Sequence, residues 1–124
     1  MPFKERRKHP RVSEAVSCHV TAGNSSFITQ TRNVSCGGVL CHLAKPLPFM
    51  TQLSIVLQVP SSTPQIPSAP ICCTGVVVRQ APCEEPQSAG YLTAIFFSKL
   101  QTGDRKRIAE FVLQSMLSHD RRRP

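Results

Sequence analysis

Arg6, Arg7 and Arg11 stand in the run Arg6-Arg7-Lys8-His9-Pro10-Arg11, and further along the chain comes Asn33-Val34-Ser35-Cys36-Gly37-Gly38. A guanidinium is a planar, permanently charged fork. It pairs two ways with phosphate oxygens, matches guanine O6 and N7 and stacks on rings. Pro10 biases His9 toward extended backbone, and four extended residues span roughly 13 Å. Arg7 and Arg11 can therefore grip separate parts of one nucleotide-sized ligand. In the second segment Asn33 and Ser35 lie two apart, so on extended chain both side chains face one way. Gly37 and Gly38 carry no Cβ, which leaves open backbone beside that polar pair. The two segments together suit an anion carrying planar, hydrogen-bonding groups, and a phosphorylated purine has that chemistry. Each alone has a plainer reading, as a solvated basic tail and as a turn.

The elements that must position these residues follow from hydropathy. Val16, Cys18 and Val20 alternate with polar neighbours and read as a half-buried strand. Phe27 to Thr31 is a second strand, ended by the Asn33–Gly38 segment. Val39, Cys41 and Leu43 alternate again, before Pro46 and Pro48 break the chain. Leu53, Ile55, Leu57 and Val59 form the cleanest period-two pattern. Residues 60–70 hold four prolines and three serines, which predicts a loop. Residues 71–79 are a β-branched and cysteine-rich strand, residues 80–89 a second loop, and residues 91–97 a sixth strand. After Leu100 the period changes. Thr102 or Asp104 can cap free amides, and Ile108, Phe111, Val112, Ser115 and Met116 follow helical spacing to about Ser118. Six short strands and one helix indicate an all-β barrel or sandwich with an appended helix.

With 124 residues the chain is one domain's worth. Its formal charge is +8, from 15 Lys+Arg against 7 Asp+Glu, and favours a polyanionic partner. That charge sits at the two ends, since residues 51–90 hold one basic residue, Arg79. The N-terminus is charged from Lys4 and lacks a signal-peptide core, and no apolar run approaches the roughly 20 residues that span a bilayer. A cytoplasmic protein with reduced cysteines is the expectation. The six cysteines lack the paired spacing of a zinc site. Cys18, Cys41 and one of Cys72 and Cys73 read as small core residues. Acids are sparse, no strand presents two carboxylates on one face, and neighbours such as Cys41 and His42 diverge on a strand. Neither an enzyme, a bound metal nor a cofactor is expected.

Arg7-xxx-Arg11 followed by Asn33-x-Ser35-xx-Gly38 resembles the PilZ domain signature, RxxxR then (D/N)xSxxG, and the resemblance extends over nearly the whole chain. It implies a six-stranded antiparallel β-barrel of the split-barrel type with a C-terminal α-helix. It also implies a receptor for the bacterial second messenger cyclic di-GMP. On that likeness Arg7 and Arg11 bind phosphates and guanine edges from an arm of residues 1–12. Asn33 and Ser35 hydrogen-bond the ligand from the barrel, while Gly37 and Gly38 permit its approach. Arg6 extends the motif to RRxxxR, a form associated with an intercalated ligand dimer. Residues 12–120 then form the barrel and helix, and residues 121–124 a basic tail. Ligand binding is expected to order the arm and alter contact with a downstream protein. Two alternatives stand beside this reading. One is a small nucleic-acid-binding barrel, disfavoured by the absence of Trp and the single Tyr. The other is a PilZ-type interaction protein that needs no ligand.

Overall fold

The computed structural model describes residues 10–60, 69–83 and 89–121. Six strands run β1 (Ser17–Ala22), β2 (Ser25–Val34), β3 (Gly38–Leu43), β4 (Gln52–Leu57), β5 (Ile71–Cys83) and β6 (Gly90–Lys99). They close into an antiparallel barrel in the order β1-β2-β3-β6-β5-β4. A helix, α1 (Thr102–Arg121), follows. This is the six-stranded barrel with a C-terminal helix that the strand pattern and the resemblance imply.

The alternating residues supply the core. Cys18 and Val20 of β1, Val39, Cys41 and Leu43 of β3, and Leu53, Ile55 and Leu57 of β4 all point inward. Ile71 and Val77 of β5 join them, with Ile95 and Phe97 of β6. Space inside is tight where β5 crosses β6. A Cβ added at Gly75 would lie 2.6 Å from the Ile95 side chain and 2.8 Å from that of Ile55. Ile108 and Val112 bury one side of α1 against the barrel, with Phe111 partly covered. Asp104 sits in the first turn, where the helix dipole favours a carboxylate.

Strands β2 and β5 and helix α1 are among the elements that run further than their hydropathy predicts. Strand β2 continues through Asn33 and Val34, so the polar motif begins inside the strand rather than after it. Strand β5 continues through Gln80 to Cys83, including Pro82, where a loop was expected. Its neighbour β4 covers it from Ile71 to Val76, whereas Arg79 to Cys83 pair with β6 alone. Proline is tolerated on such a free edge, where its missing N–H breaks no ladder. Helix α1 passes the expected end near Ser118 and reaches Arg121.

Three strands carry one surplus residue against a partner: β2 at Arg32, β5 at Val78 and β6 at Ser98, the last between Thr74↔Lys99 and Gly75↔Phe97. Between Thr31↔Cys41 and Asn33↔Leu40, β2 spends two steps while β3 spends one, which makes Arg32 a bulge. Between Val77↔Ile95 and Arg79↔Ala94 the same happens on β5, at Val78.

Burial pushes the Cys18 and Cys41 thiols from the ordinary 9.0 up to about 12, with Cys41 and Cys73 adding to the rise at Cys18. The folded chain therefore keeps two protons that the unfolded chain releases between pH 9 and about 12. Stability is whole below that window and is lost as pH rises through it, by up to about 1.4 kcal/mol per thiol per pH unit. Urea unfolding of wild type from pH 8 to 11 should show this decline. The Cys18→Ala/Cys41→Ala double variant, weaker at neutral pH, should show a shallower alkaline limb. Parallel limbs would contradict the assignment.

Candidate functional site

The bulge at Arg32 turns the end of β2 over. Thr31 faces inward, opposite Cys41, and without the extra residue Asn33 would share that face. Instead Asn33 stands on the outer wall beside Leu40, and Val34 turns into the core opposite Val39. Val34 then holds a second partner. Val12 N–H donates to Val34 O at 3.1 Å, and Val34 N–H donates to Val12 O at 3.0 Å. That isolated bridge, with the Val12 side chain buried, fixes the chain next to Arg11 against the end of β2.

A tight turn follows. Ser35 N–H donates to Gly38 O at 3.0 Å, and Gly37 N–H donates to Ser35 Oγ at 3.1 Å. Ser35 is 3 % exposed, and its hydroxyl works first as the brace of this turn. Gly37 O accepts from Phe97 N–H at 2.9 Å, which ties the turn to β6. Helix α1 holds it from the other side. Arg105 Nη1 donates to Cys36 O at 3.2 Å, and the Cys36 thiol points back at Arg105 O, 3.6 Å away. Burial raises the Cys36 thiol above its ordinary range, and the Arg105 guanidinium partly opposes that rise. Arg107 donates to Val59 O and Ala69 O, so the helix is also fastened where β4 ends and β5 begins.

These restraints bring Arg11, Asn33, Ser35, Gly37 and Gly38 to the rim of one cavity of about 280 Å³ on the outer wall. Its floor is apolar and lies outside both sequence motifs: Leu40, Val78, Ala94 and Phe96. A hint of it lies in Phe96-Phe97, since one of two adjacent aromatics on a strand must face outward. Among the described lining residues Arg11 carries the one formal charge, and no carboxylate is among them. Arg6 and Arg7 lie outside the described residues. The described residues contain no cluster of His, Cys, Asp or Glu that could hold a metal. None of their helices is long and apolar enough to cross a membrane.

The wall of this closed barrel thus carries a concavity with a cation at its edge, of a kind that can take a small ligand. The PilZ domain family model matches residues 5–114, and the chain belongs to that family. The fold is similar to that of Bacillus subtilis inhibitor of motility (MotI/DgrA), with TM-score 0.79 and 21% identity over 97% of this chain and 55% of that one. It is also similar to K. pneumonia MrkH in a complex with c-di-GMP, at TM-score 0.77 and 18% identity over 97% and 57%. The PilZ domain of Escherichia coli YcgR with c-di-GMP aligns at TM-score 0.67 and 14% identity, over 94% and 96%. The chain thus spans little more than half of the first two proteins. At these identities the likeness concerns the fold. No curated protein matches the sequence.

Gly38 has a structural duty that its motif position does not reveal. It sits opposite Phe96 in the β3–β6 ladder, and a Cβ there would fall on the carbonyl oxygen of Ile95. Backbone cannot step aside as a side chain can. Gly38→Ala should therefore destabilise the fold by at least about 2 kcal/mol, measured by chemical denaturation without ligand. An unchanged denaturation midpoint would show that β3 and β6 do not approach this closely.

Proposed function

We propose that this chain is a receptor for cyclic di-GMP, which binds on the outer wall at Arg11, Asn33, Ser35, Gly37 and Gly38. The observation that carries the proposal is the Val12–Val34 bridge, which brings an arginine of the first motif to the rim formed by the second. Family membership, and the two solved PilZ relatives that hold c-di-GMP, support it.

Each rim residue has a chemical task. The Arg11 guanidinium pairs with a phosphate or a guanine edge. The Asn33 amide offers both a donor and an acceptor to a base or ribose. Ser35 shapes the turn that presents Gly37 and Gly38, where backbone is open to close approach. The cavity, about 280 Å³, falls just under the roughly 300–1,000 Å³ of small-molecule pockets. A dinucleotide therefore overhangs it. Arg6 and Arg7 belong to the chain just before the rim, and we assign them to the overhanging part. Ligand phosphates draw residues 1–9 onto the barrel, and Arg6 admits a second, intercalated ligand. The arm so ordered makes a new surface for a downstream protein. Of the arm assigned to residues 1–12, the part before the rim is the moving part of this reading, and the barrel with α1 and the bridged Val12 is its support. The reading assigns the chain no catalysis and no metal.

Titration calorimetry tests the site. A hydrogen bond to a charged group is worth about 1.5–3 kcal/mol. Arg11→Ala should thus weaken cyclic di-GMP binding about ten- to hundred-fold. Equal affinity in that variant would remove Arg11 from the site. A single-stranded oligonucleotide that bound tighter than cyclic di-GMP would favour the nucleic-acid alternative.

The same titration reads stoichiometry. Wild type should take two ligands per chain and Arg6→Ala one. One ligand per wild-type chain would exclude the intercalated dimer.

A further inference from the structure

The cavity floor carries a second inference, which deepens the proposed function and rests on it for the identity of the ligand. We propose that Phe96 is a stacking platform for a purine ring, edged by Leu40, Ala94 and Val78. It would set the ligand's chemistry by its base rather than by its phosphates.

The platform is built by register. Strand β6 alternates normally here, with Ile95 and Phe97 buried and Phe96 turned out to 52 % exposure. Its neighbours across the ladders are Gly38 on β3 and Val76 on β5. Gly38 has no side chain, so nothing on β3 covers that flank of the ring. Along β6 the next residue on the same face is Ala94, which is short, and Leu40 stands opposite it. The β5 bulge then matters. Val78 is the surplus residue between two ladder pairs, and it lines the cavity at 41 % exposure although it is apolar.

Single exposed apolar residues are ordinary on protein surfaces. Phe96 and Val78 are not scattered. They meet in one cavity whose rim is polar and carries Arg11. An apolar ring face below and a cation at the edge are the complement of a nucleotide, which is a flat ring joined to an anion. Aromatic side chains take purines of any identity in this way, because every base has a π-face. The floor therefore recognises that a base is present, and the rim residues distinguish which base it is.

The test uses a gap in the composition: the chain has no tryptophan. Phe96→Trp would be its one indole, placed on the floor. Its emission should be quenched by cyclic di-GMP, and by guanosine 5′-monophosphate at higher concentration, but not by ribose 5-phosphate, which lacks a base. By calorimetry, Phe96→Leu keeps apolar bulk without a ring and should lose about ten-fold or more in cyclic di-GMP affinity, with an unchanged melting temperature. Phe96→Trp should bind within about three-fold of wild type or tighter. Wild-type affinity in Phe96→Leu would overturn the platform while leaving the receptor reading intact. Wild type that ignored cyclic di-GMP, with Phe96→Trp still quenched by guanosine 5′-monophosphate and not by ribose 5-phosphate, would overturn the receptor reading and sustain the platform. An indole that no purine quenches would overturn it.

Discussion

Side chains on a strand alternate with a period of two, so one surplus residue turns over everything after it. The rim of this protein depends on that rule at Arg32. Remove the bulge, and Asn33 would join Thr31 inside the barrel while Val34 faced water. With it, Asn33 reaches the outer wall and Val34 enters the core. The inward turn of Val34 also leaves its backbone on a free edge, where Val12 pairs with it. One irregularity thus places the amide of the second motif and recruits the arginine of the first. The bulge at Val78 does parallel work on the far side of the β3–β6 pair. The cavity lies between the two, on a stretch of ladder without a register shift, with its walls set by the irregular strands on either side.

The turn after β2 is held from three directions. Ser35 braces it internally, β6 takes its carbonyl through Phe97, and α1 grips Cys36 through Arg105. Two of the three anchors belong to elements remote in sequence. Movement of α1 would therefore be felt at the rim, and a change at the rim would be felt by α1. Such coupling requires no long pathway, since a single arginine on the first turns of the helix spans the distance. It also explains why a motif of six residues needs the whole barrel behind it. Isolated from β6 and α1, the Asn33–Gly38 stretch would keep one internal brace against the entropy of an open turn.

Much of this arrangement is legible in the sequence, and the illegible part has a common cause. Leu53, Ile55 and Leu57 announce a strand because their partners across the barrel impose the same period. Cys18 and Cys41 read as core for the same reason, and the helix announces itself through Ile108 and Val112. The two arginine and asparagine segments could be paired because each offers chemistry that the other lacks. What sequence does not show is which strands are neighbours. A bulge is a difference in count between two strands, so Arg32 and Val78 look like ordinary strand residues until their partners are known. The extension of β5 across Pro82 depends on an edge that exists only once β4 has ended beside it. The structural need for Gly38 depends on the approach of β6, and the motif alone suggests a ligand as the reason. Phe96 and Val78 are apolar residues in apolar runs. Nothing short of the barrel's closure distinguishes them from the core.

A binding surface has to be tolerable without its ligand, and the energetics of this one follow from that demand. A buried guanidinium would carry a desolvation penalty of several kcal/mol unless paired. Arg11 is instead exposed at the rim, where that penalty does not arise. A broad apolar floor would invite association with other surfaces. Here it is confined to four side chains, one of them alanine, within one cavity. Each half of the site is thus kept below the level at which it would cost the free protein much. The consequence is that neither half binds strongly by itself. On the proposed reading, affinity comes from a ligand that satisfies both together, an anion held at a fixed distance from a planar ring, and that requirement is itself a form of selectivity.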